Sequence, residues 1–233
     1  MSAQPIVEIH EDAAALTRAA RARFVQSARS AITARGRCDI ALAGGSTPRA
    51  LYAALERADL DWSALHCWFG DERCVPPEDA QSNYRMAREA LFDRLALPPE
   101  NVHRMEGELE PELAAARYEG ELARHFGTPL PRFDLCWLGL GADGHTASLF
   151  PGTTALDERT RACVACWVPR LDAWRLTLTF PALARSREIV FLVCGVEKSE
   201  ALRRSLARDT QLPAARVTPE DGVLRWMIDR AAS

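Results

Sequence analysis

DIALAGGSTPRALYAALE (residues 39–56) begins as a continuous apolar run and passes, through two adjacent glycines, into a helical pattern. Residues 39–43 read as a short buried strand. Pro48 suits the first turn of a helix, Ser46 or Thr47 can cap it, and Leu51 and Leu55 share one face. A buried strand feeding directly into a helix is half of a βαβ unit, and such units build parallel sheets.

The pattern repeats outward from this unit. PIVEIH (5–10) alternates as a strand. Residues 11–34 place Leu16, Ala20, Phe24 and Ala28 on one helical face, with Gly36 as a stop. LHCWF (65–69), FDLCWLGL (133–140), RLTLTF (175–180) and IVFLVC (189–194) read as further strands. RLTLTF puts Arg175, Thr177 and Thr179 on one face, and its direction in the sheet is left open. Helices are expected over 83–95 and 111–125, from GVEKSEALRRSL (195–206) and, as a last short helix, in LRWMIDRAA (224–232). This alternation implies an α/β fold: a mostly parallel, doubly wound sheet with helices on both faces. No repeat, low-complexity tract or linker divides the 233 residues, so 1–233 is read as a single domain.

Composition narrows the function. A formal net charge of -3 without blocks of like charge gives no footprint for nucleic acid or an anionic membrane. No apolar run is long enough to cross a bilayer. The stretch MSAQPIVEIHEDAAAL lacks a basic segment followed by an apolar one, so no signal peptide is expected and the cytoplasm is the expected compartment. Seven scattered cysteines fit a reduced protein better than a disulfide framework. Cys163 and Cys166 form a CxxC, but RACVACWV reads as extended, which would turn the two thiols to opposite faces. Of 29 Lys and Arg residues, only Lys198 is lysine.

In open parallel sheets, ligands bind beyond the carboxyl ends of the strands. The residues just past each strand are therefore the candidates for a site: Gly44, Gly45, Ser46 and Thr47; Asp71 and Arg73; Asp143 and His145; and Lys198. The 44–47 loop is either a plain tight turn or a phosphate cradle, in which backbone N–H groups and the positive helix end meet an anion. Lys198 in the first turn of a helix is unfavourable beside the dipole unless an anion lies between them. Arg175 could clamp the same anion through two hydrogen bonds. His145 can take a proton from water, with Asp143 orienting its ring. His10, His66, His103 and His125 sit in ordinary contexts and are read as structural or solvated.

Other motifs fall away. Gly139 to Gly144 formally matches GxGxxG, but no long helix and no suitably placed acidic residue come after it. GGSTP lacks the second glycine of a nucleophile elbow. No spacing suggests a metal site.

The strings LAGGSTPRALYAAL, WFGDERCVPPEDAQSNYRMAREAL, FDLCWLGLGADGHTASLFPGT and FLVCGVEKSEALRR, in this order, resemble the 6-phosphogluconolactonases, as does the closing LPAARVTPEDGVLRWMIDRAA. The resemblance runs from about residue 5 to the end. The wider family includes glucosamine-6-phosphate deaminases and isomerases, which resemble DGHIAFNEP where this chain has DGHTASLFP. Their catalytic glutamate falls at the place of Phe150. The resemblance implies a modified doubly wound fold and a cofactor-free hydrolase acting on a small sugar-phosphate lactone. It implies that Gly44, Gly45, Ser46, Thr47, Arg175 and Lys198 meet the phosphate, and that Asp71, Arg73 and His145 face the lactone. Many relatives have a proline before the arginine, where this chain has Trp174. On this reading His145 is the general base for a water attacking the lactone carbonyl. Arg73 or a backbone N–H of the 139–144 turn stabilises the oxyanion. A sugar-phosphate isomerase or deaminase, or a non-catalytic sugar-phosphate sensor, are the alternatives. The expected assembly is a monomer or small homo-oligomer.

Overall fold

In chain order the strands are β1 (Ile6–His10), β2 (Cys38–Leu42), β3 (Leu65–Phe69), β4 (Asp71–Arg73), β5 (Leu135–Leu138), β6 (Cys163–Val168), β7 (Ala173–Leu178), β8 (Glu188–Val193) and β9 (Val223–Asp229). The computed structural model describes residues 4–95 and 97–233; residues 1–3, part of the amino-terminal stretch read for a signal peptide, and Ala96 lie outside the described residues. Six strands form one sheet in the order β1-β9-β8-β5-β2-β3, with every pairing parallel. The other three form an antiparallel sheet, β4-β7-β6.

The parallel sheet follows from its apolar strands. β2 and β5 are buried at every position, as strands covered on both faces must be. The principal helices are α1 (Ala13–Arg35), α2 (Ser46–Ala54), α3 (Asn83–Ala87), α4 (Pro111–Phe126), α5 (Phe180–Ala184) and α6 (Ser199–Leu206). α1 starts where the Asp12 carboxylate accepts the Ala15 N–H at 2.7 Å, and stops at Gly36, whose φ of 77° is left-handed. It buries Leu16, Ala20, Phe24 and Ala28, the stripe read from the sequence, and Phe24 stacks on Trp137 with centroids 6.4 Å apart.

Four expectations need correction. LRWMIDRAA is not a helix: its first six residues belong to β9, which lies between β1 and β8. Arg225 sits mid-strand and buried, neutralised by Glu188 at 3.0 Å and by Glu8. The α2 N-cap is Gly45, at φ 103°, and neither Ser46 nor Thr47 caps with its side chain. The helix expected over 83–95 is α-helical only to Ala87 and π-helical over Arg88–Phe92. RLTLTF is strand only to Leu178, because Thr179 turns to cap α5, its hydroxyl accepting the Ala182 N–H. β7 runs antiparallel in the small sheet rather than in the main one. Cys163 and Cys166 lie on β6 as free, buried thiols.

All six main-sheet strands run the same way, so the carboxyl ends of β2, β3, β5 and β8 open onto one edge. β4 leaves that edge after Gly70 and brings the small sheet alongside it, where the Gly70 carbonyl accepts the Leu178 N–H at 2.8 Å.

Candidate active site

A cleft of about 330 Å³ lies on this edge. Of the residues nominated from the sequence, Gly44, Gly45, Asp71, Arg73, His145, Arg175 and Lys198 line it. Asp143, Ser46 and Thr47 do not line it; each stands close behind a residue that does.

His145 owes its position to the tight 139–147 segment after β5. The Gly141 N–H donates to the His145 carbonyl at 2.8 Å, and the Gly144 N–H donates to the Gly141 carbonyl at 2.9 Å. A Cβ on Gly141 would fall 1.9 Å from His145 Nδ1 and 2.5 Å from Asp143 Oδ1, so only glycine leaves room for the pair. Ala147, two residues after His145, takes φ 45°, a left-handed strain at the wall of the cleft. His145 Nδ1 lies 2.5 Å from Asp143 Oδ1. With the carboxylate ionised, Nδ1 carries the proton and Nε2 is the basic nitrogen. Burial alone would raise the Asp143 carboxyl; the His145 hydrogen bond and the charges of His145 and Arg170 outweigh it and hold the group below the usual aspartate range.

Cationic side chains also line the cleft. Arg73 on β4 and Arg175 on β7 are direct cross-strand partners. Burial and the neighbouring Arg73 charge lower the Arg175 guanidinium below its ordinary value. Trp174, the residue at the place of the relatives' proline, pairs with Trp167 along the β6–β7 ladder and leaves Arg175 in the cleft. Gly44 and Gly45 open α2, whose first N–H groups, on Ser46 and Thr47, belong to a helix end with Pro48 in its first turn. Lys198 closes a 3-10 turn at the N-terminus of α6, one turn after Gly195 at φ 101°.

Asp71 is held rather than free. Its Oδ2 accepts the Ser148 hydroxyl at 2.6 Å, and its Oδ1 accepts the Asn83 side-chain N–H at 3.3 Å. Glu72, beside it, is buried and faces away. It accepts the N–H groups of Arg73, Asn83 and Tyr84 at 2.7–2.8 Å and anchors the start of α3. Burial pushes its carboxyl up, although those donors oppose the rise.

The sequence reading missed several residues here. Arg170 lies 2.8 Å from Asp143 Oδ2 and over the Phe150 ring at 4.8 Å. Phe150 in turn stacks under His145, centroids 4.1 Å apart. Asn83 packs so closely on Gly44 that a Cβ there would meet its amide at 2.0 Å. Neither Arg170 nor Asn83 comes directly after a strand of the main sheet, so the strand-end rule passed over them; Phe150 was read only as the residue at the place of the deaminases' glutamate, not as the platform under His145. The reading also separated three histidines that fold together. His66, His103 and His125 form a cluster toward the amino ends of β2 and β3, away from the cleft. Burial brings His66 down to about 4 and lowers His125.

The comparisons agree with this geometry. Residues 11–226 match the model of a family described as glucosamine-6-phosphate isomerases/6-phosphogluconolactonase. A 6-phosphogluconolactonase of Synechocystis sp. is 44% identical over 87% of this chain and 86% of its own. One of Nostoc sp. is 38% identical over 97% of this chain and 96% of its own. The solved structure of 6-phosphogluconolactonase from Trypanosoma cruzi superposes with a TM-score of 0.87 at 32% identity, covering 100% of this chain and 97% of the other. A match that spans nearly the whole chain, joined to a cleft holding the family's GGSTP, DER and DGH segments, makes this chain a member of the glucosamine-6-phosphate isomerase/6-phosphogluconolactonase family.

Proposed function

We propose that this chain opens 6-phospho-D-glucono-1,5-lactone with water to give 6-phospho-D-gluconate, the hydrolytic step of the oxidative pentose phosphate pathway. The observation that carries the reading is the His145–Asp143 pair at 2.5 Å, with His145 stacked on Phe150 and lining a cleft that Arg73, Arg175 and Lys198 also line. The lactonase names of the relatives at high coverage support it. Phe150 argues against the deaminase alternative, since an aromatic ring occupies the place where that branch carries a carboxylate.

In this reading Asp143 fixes the proton on Nδ1, and Nε2 of His145 accepts a proton from the attacking water. Oxygen bonds to C1, and the carbonyl becomes a tetrahedral oxyanion. Arg73 is the favoured donor to that oxyanion, because the Gly141 and Gly144 N–H groups are already engaged within their own turn. The C1–ring oxygen bond then breaks, and His145 returns the proton to the departing ring oxygen. Asp71, held by Ser148 and Asn83, is a fixed acceptor for sugar hydroxyls. Gly44, Gly45, the Ser46 and Thr47 N–H groups, Arg175 and Lys198 hold the phosphate, which positions the lactone through binding remote from the reacting carbon. The reaction needs no cofactor or metal in this reading. The chain acts as one domain, in the cytoplasm, on a free metabolite; among the described residues no helix is long and apolar enough to cross a membrane.

The test is lactone generated in place by oxidising glucose 6-phosphate, with its disappearance followed against spontaneous hydrolysis in the same buffer. A parallel reaction offers glucosamine 6-phosphate and measures ammonia. Accelerated lactone loss without ammonia is expected. Ammonia release, or binding of sugar phosphates without any turnover, would overturn the reading.

A further inference from the structure

His66 lies on β3, His103 comes just after the short bridge between Cys67 and Val102, and His125 is in the last turn of α4. One ring nitrogen from each lies within 4.8 Å of the others. His66 Nδ1 and His103 Nε2 are 3.1 Å apart. Two nitrogens bound to one tetrahedral ion at 2.0–2.1 Å stand about 3.3 Å from each other, so this pair is already at a coordinating separation.

Two carboxylates hold the cluster from outside. Glu121 Oε1 lies 2.5 Å from His103 Nδ1, and Asp39 Oδ1 lies 2.6 Å from His125 Nε2. Each carboxylate fixes the proton on the nitrogen it faces and leaves the other nitrogen of that ring with its lone pair. Metal-binding imidazoles are oriented in this way. Asp39 is itself fixed by the Trp68 indole N–H at 3.1 Å and by Arg37 at 3.0 Å. His103 lies flat on Trp68, centroids 3.8 Å apart and planes within 7°. Packing would account for the stacked rings. It does not account for two carboxylates, from β2 and α4, each within hydrogen-bond distance of a ring nitrogen of a different imidazole, the His103 one on the nitrogen that faces away from His66.

The geometry points to a divalent transition-metal site of the zinc class, with His66, His103 and His125 as ligands and Glu121 and Asp39 orienting two of them. Imidazole donors suit this class of ion rather than magnesium or calcium. His66 and His125 are half-buried, which gives an ion a way in from solvent. The site stands at the amino ends of β2 and β3, whereas the lactone cleft stands at the carboxyl ends. Its ion would tie α4 and the 102–103 segment to β3 and would take no part in the lactone chemistry.

Zinc titrated into the intact chain against a chromophoric chelator, with cobalt(II) as a spectroscopic substitute, tests this. The expected result is one ion per chain, a raised Tm with zinc, and the visible absorption of a four-coordinate cobalt site. His103 is buried against Trp68, so the partly exposed His66 and Glu121 carry the mutational arm. His66→Gln should abolish the cobalt spectrum while keeping the far-UV circular dichroism of the parent. Glu121→Gln should weaken zinc about 10- to 100-fold, the usual effect of removing an orienting carboxylate. His145→Gln should bind as the parent does. Absence of zinc binding would overturn the proposal, as would equal affinity in His66→Gln or loss confined to His145→Gln.

Discussion

Arg73 and Arg175 face each other as direct partners across the antiparallel β4–β7 ladder, and both line the cleft. Like charges placed directly opposite are destabilising. In the proposed reading the two charges serve different parts of one substrate, Arg175 the phosphate and Arg73 the developing oxyanion. Arg175→Ala should raise KM for the phosphorylated lactone roughly ten- to a hundredfold, the loss of one or two charge-assisted hydrogen bonds. Hydrolysis of unphosphorylated gluconolactone should change little, and the ligand-free Tm should hold or rise. Equal damage to both substrates would detach Arg175 from the phosphate.

Removal of the proposed general base should leave binding intact. For His145→Ala, kcat is expected to fall on the order of 10²- to 10⁴-fold with KM nearly unchanged. Steady-state kinetics corrected for spontaneous hydrolysis decide it, and a variant with parental kcat would exclude His145 as the base.

Asp143 carries a pH signature. Its folded carboxyl lies below the ordinary aspartate value, so its contribution to stability is fully present above that value, about 3.9. The contribution is lost only as pH falls through the lower, folded value. Asp143→Asn should therefore lower Tm at neutral pH, and the gap from the parent should close in strong acid. A gap that widens on acidification would contradict the assignment.

Gly141→Ala tests the approach of the backbone to the His145–Asp143 pair. The new methyl would overlap His145 Nδ1 and Asp143 Oδ1, so the pair must separate. Activity should drop at least as far as in Asp143→Asn, with the far-UV circular dichroism unchanged.

Glu72 is a structural counterpart to these residues. Glu72→Ala leaves the backbone N–H groups of Arg73, Asn83 and Tyr84 without their acceptor, at a cost of about 1–3 kcal/mol in unfolding free energy for the buried Asn83 donor alone. Denaturant unfolding measures it. A neutral result would mean that the start of α3 finds other acceptors.

The sequence carried the parts of this molecule that are local. β2, β3, β5 and β8 are continuous apolar runs ending in glycine-containing turns, and the strand-end rule led from them to Gly44, Asp71, His145 and Lys198. β9 escaped because Arg225 interrupts its apolar run while Leu224, Met227 and Ile228 imitate a helical face. Only its neighbours, Glu8 on β1 and Glu188 on β8, make a buried arginine acceptable in a strand. Arg170 and Asn83 escaped for a related reason: each is brought to the cleft by the small antiparallel sheet or by the Glu72 anchor, neither of which has a local pattern. His66 and His103 stand 37 residues apart in sequence, with His125 further on again, and no spacing rule connects the three.

The parallel pairing of β1 with β9 has a consequence for how the chain is made. Ile6 pairs with Arg225, and β1 has no other neighbour among the described strands of the sheet. On a ribosome adding about 5–20 residues each second, β1 therefore waits roughly 10–40 s for its partner to be synthesised. Ile6, Val7 and Ile9, still partly exposed in the finished sheet, are bare for that interval. β9 must also enter between β1 and the already paired β8, so completion of the sheet is an insertion that waits until β9 has been synthesised. The nascent chain is consequently most open to chaperone capture at its first strand, and slowing elongation before β9 should lengthen that exposure without altering any contact of the native state.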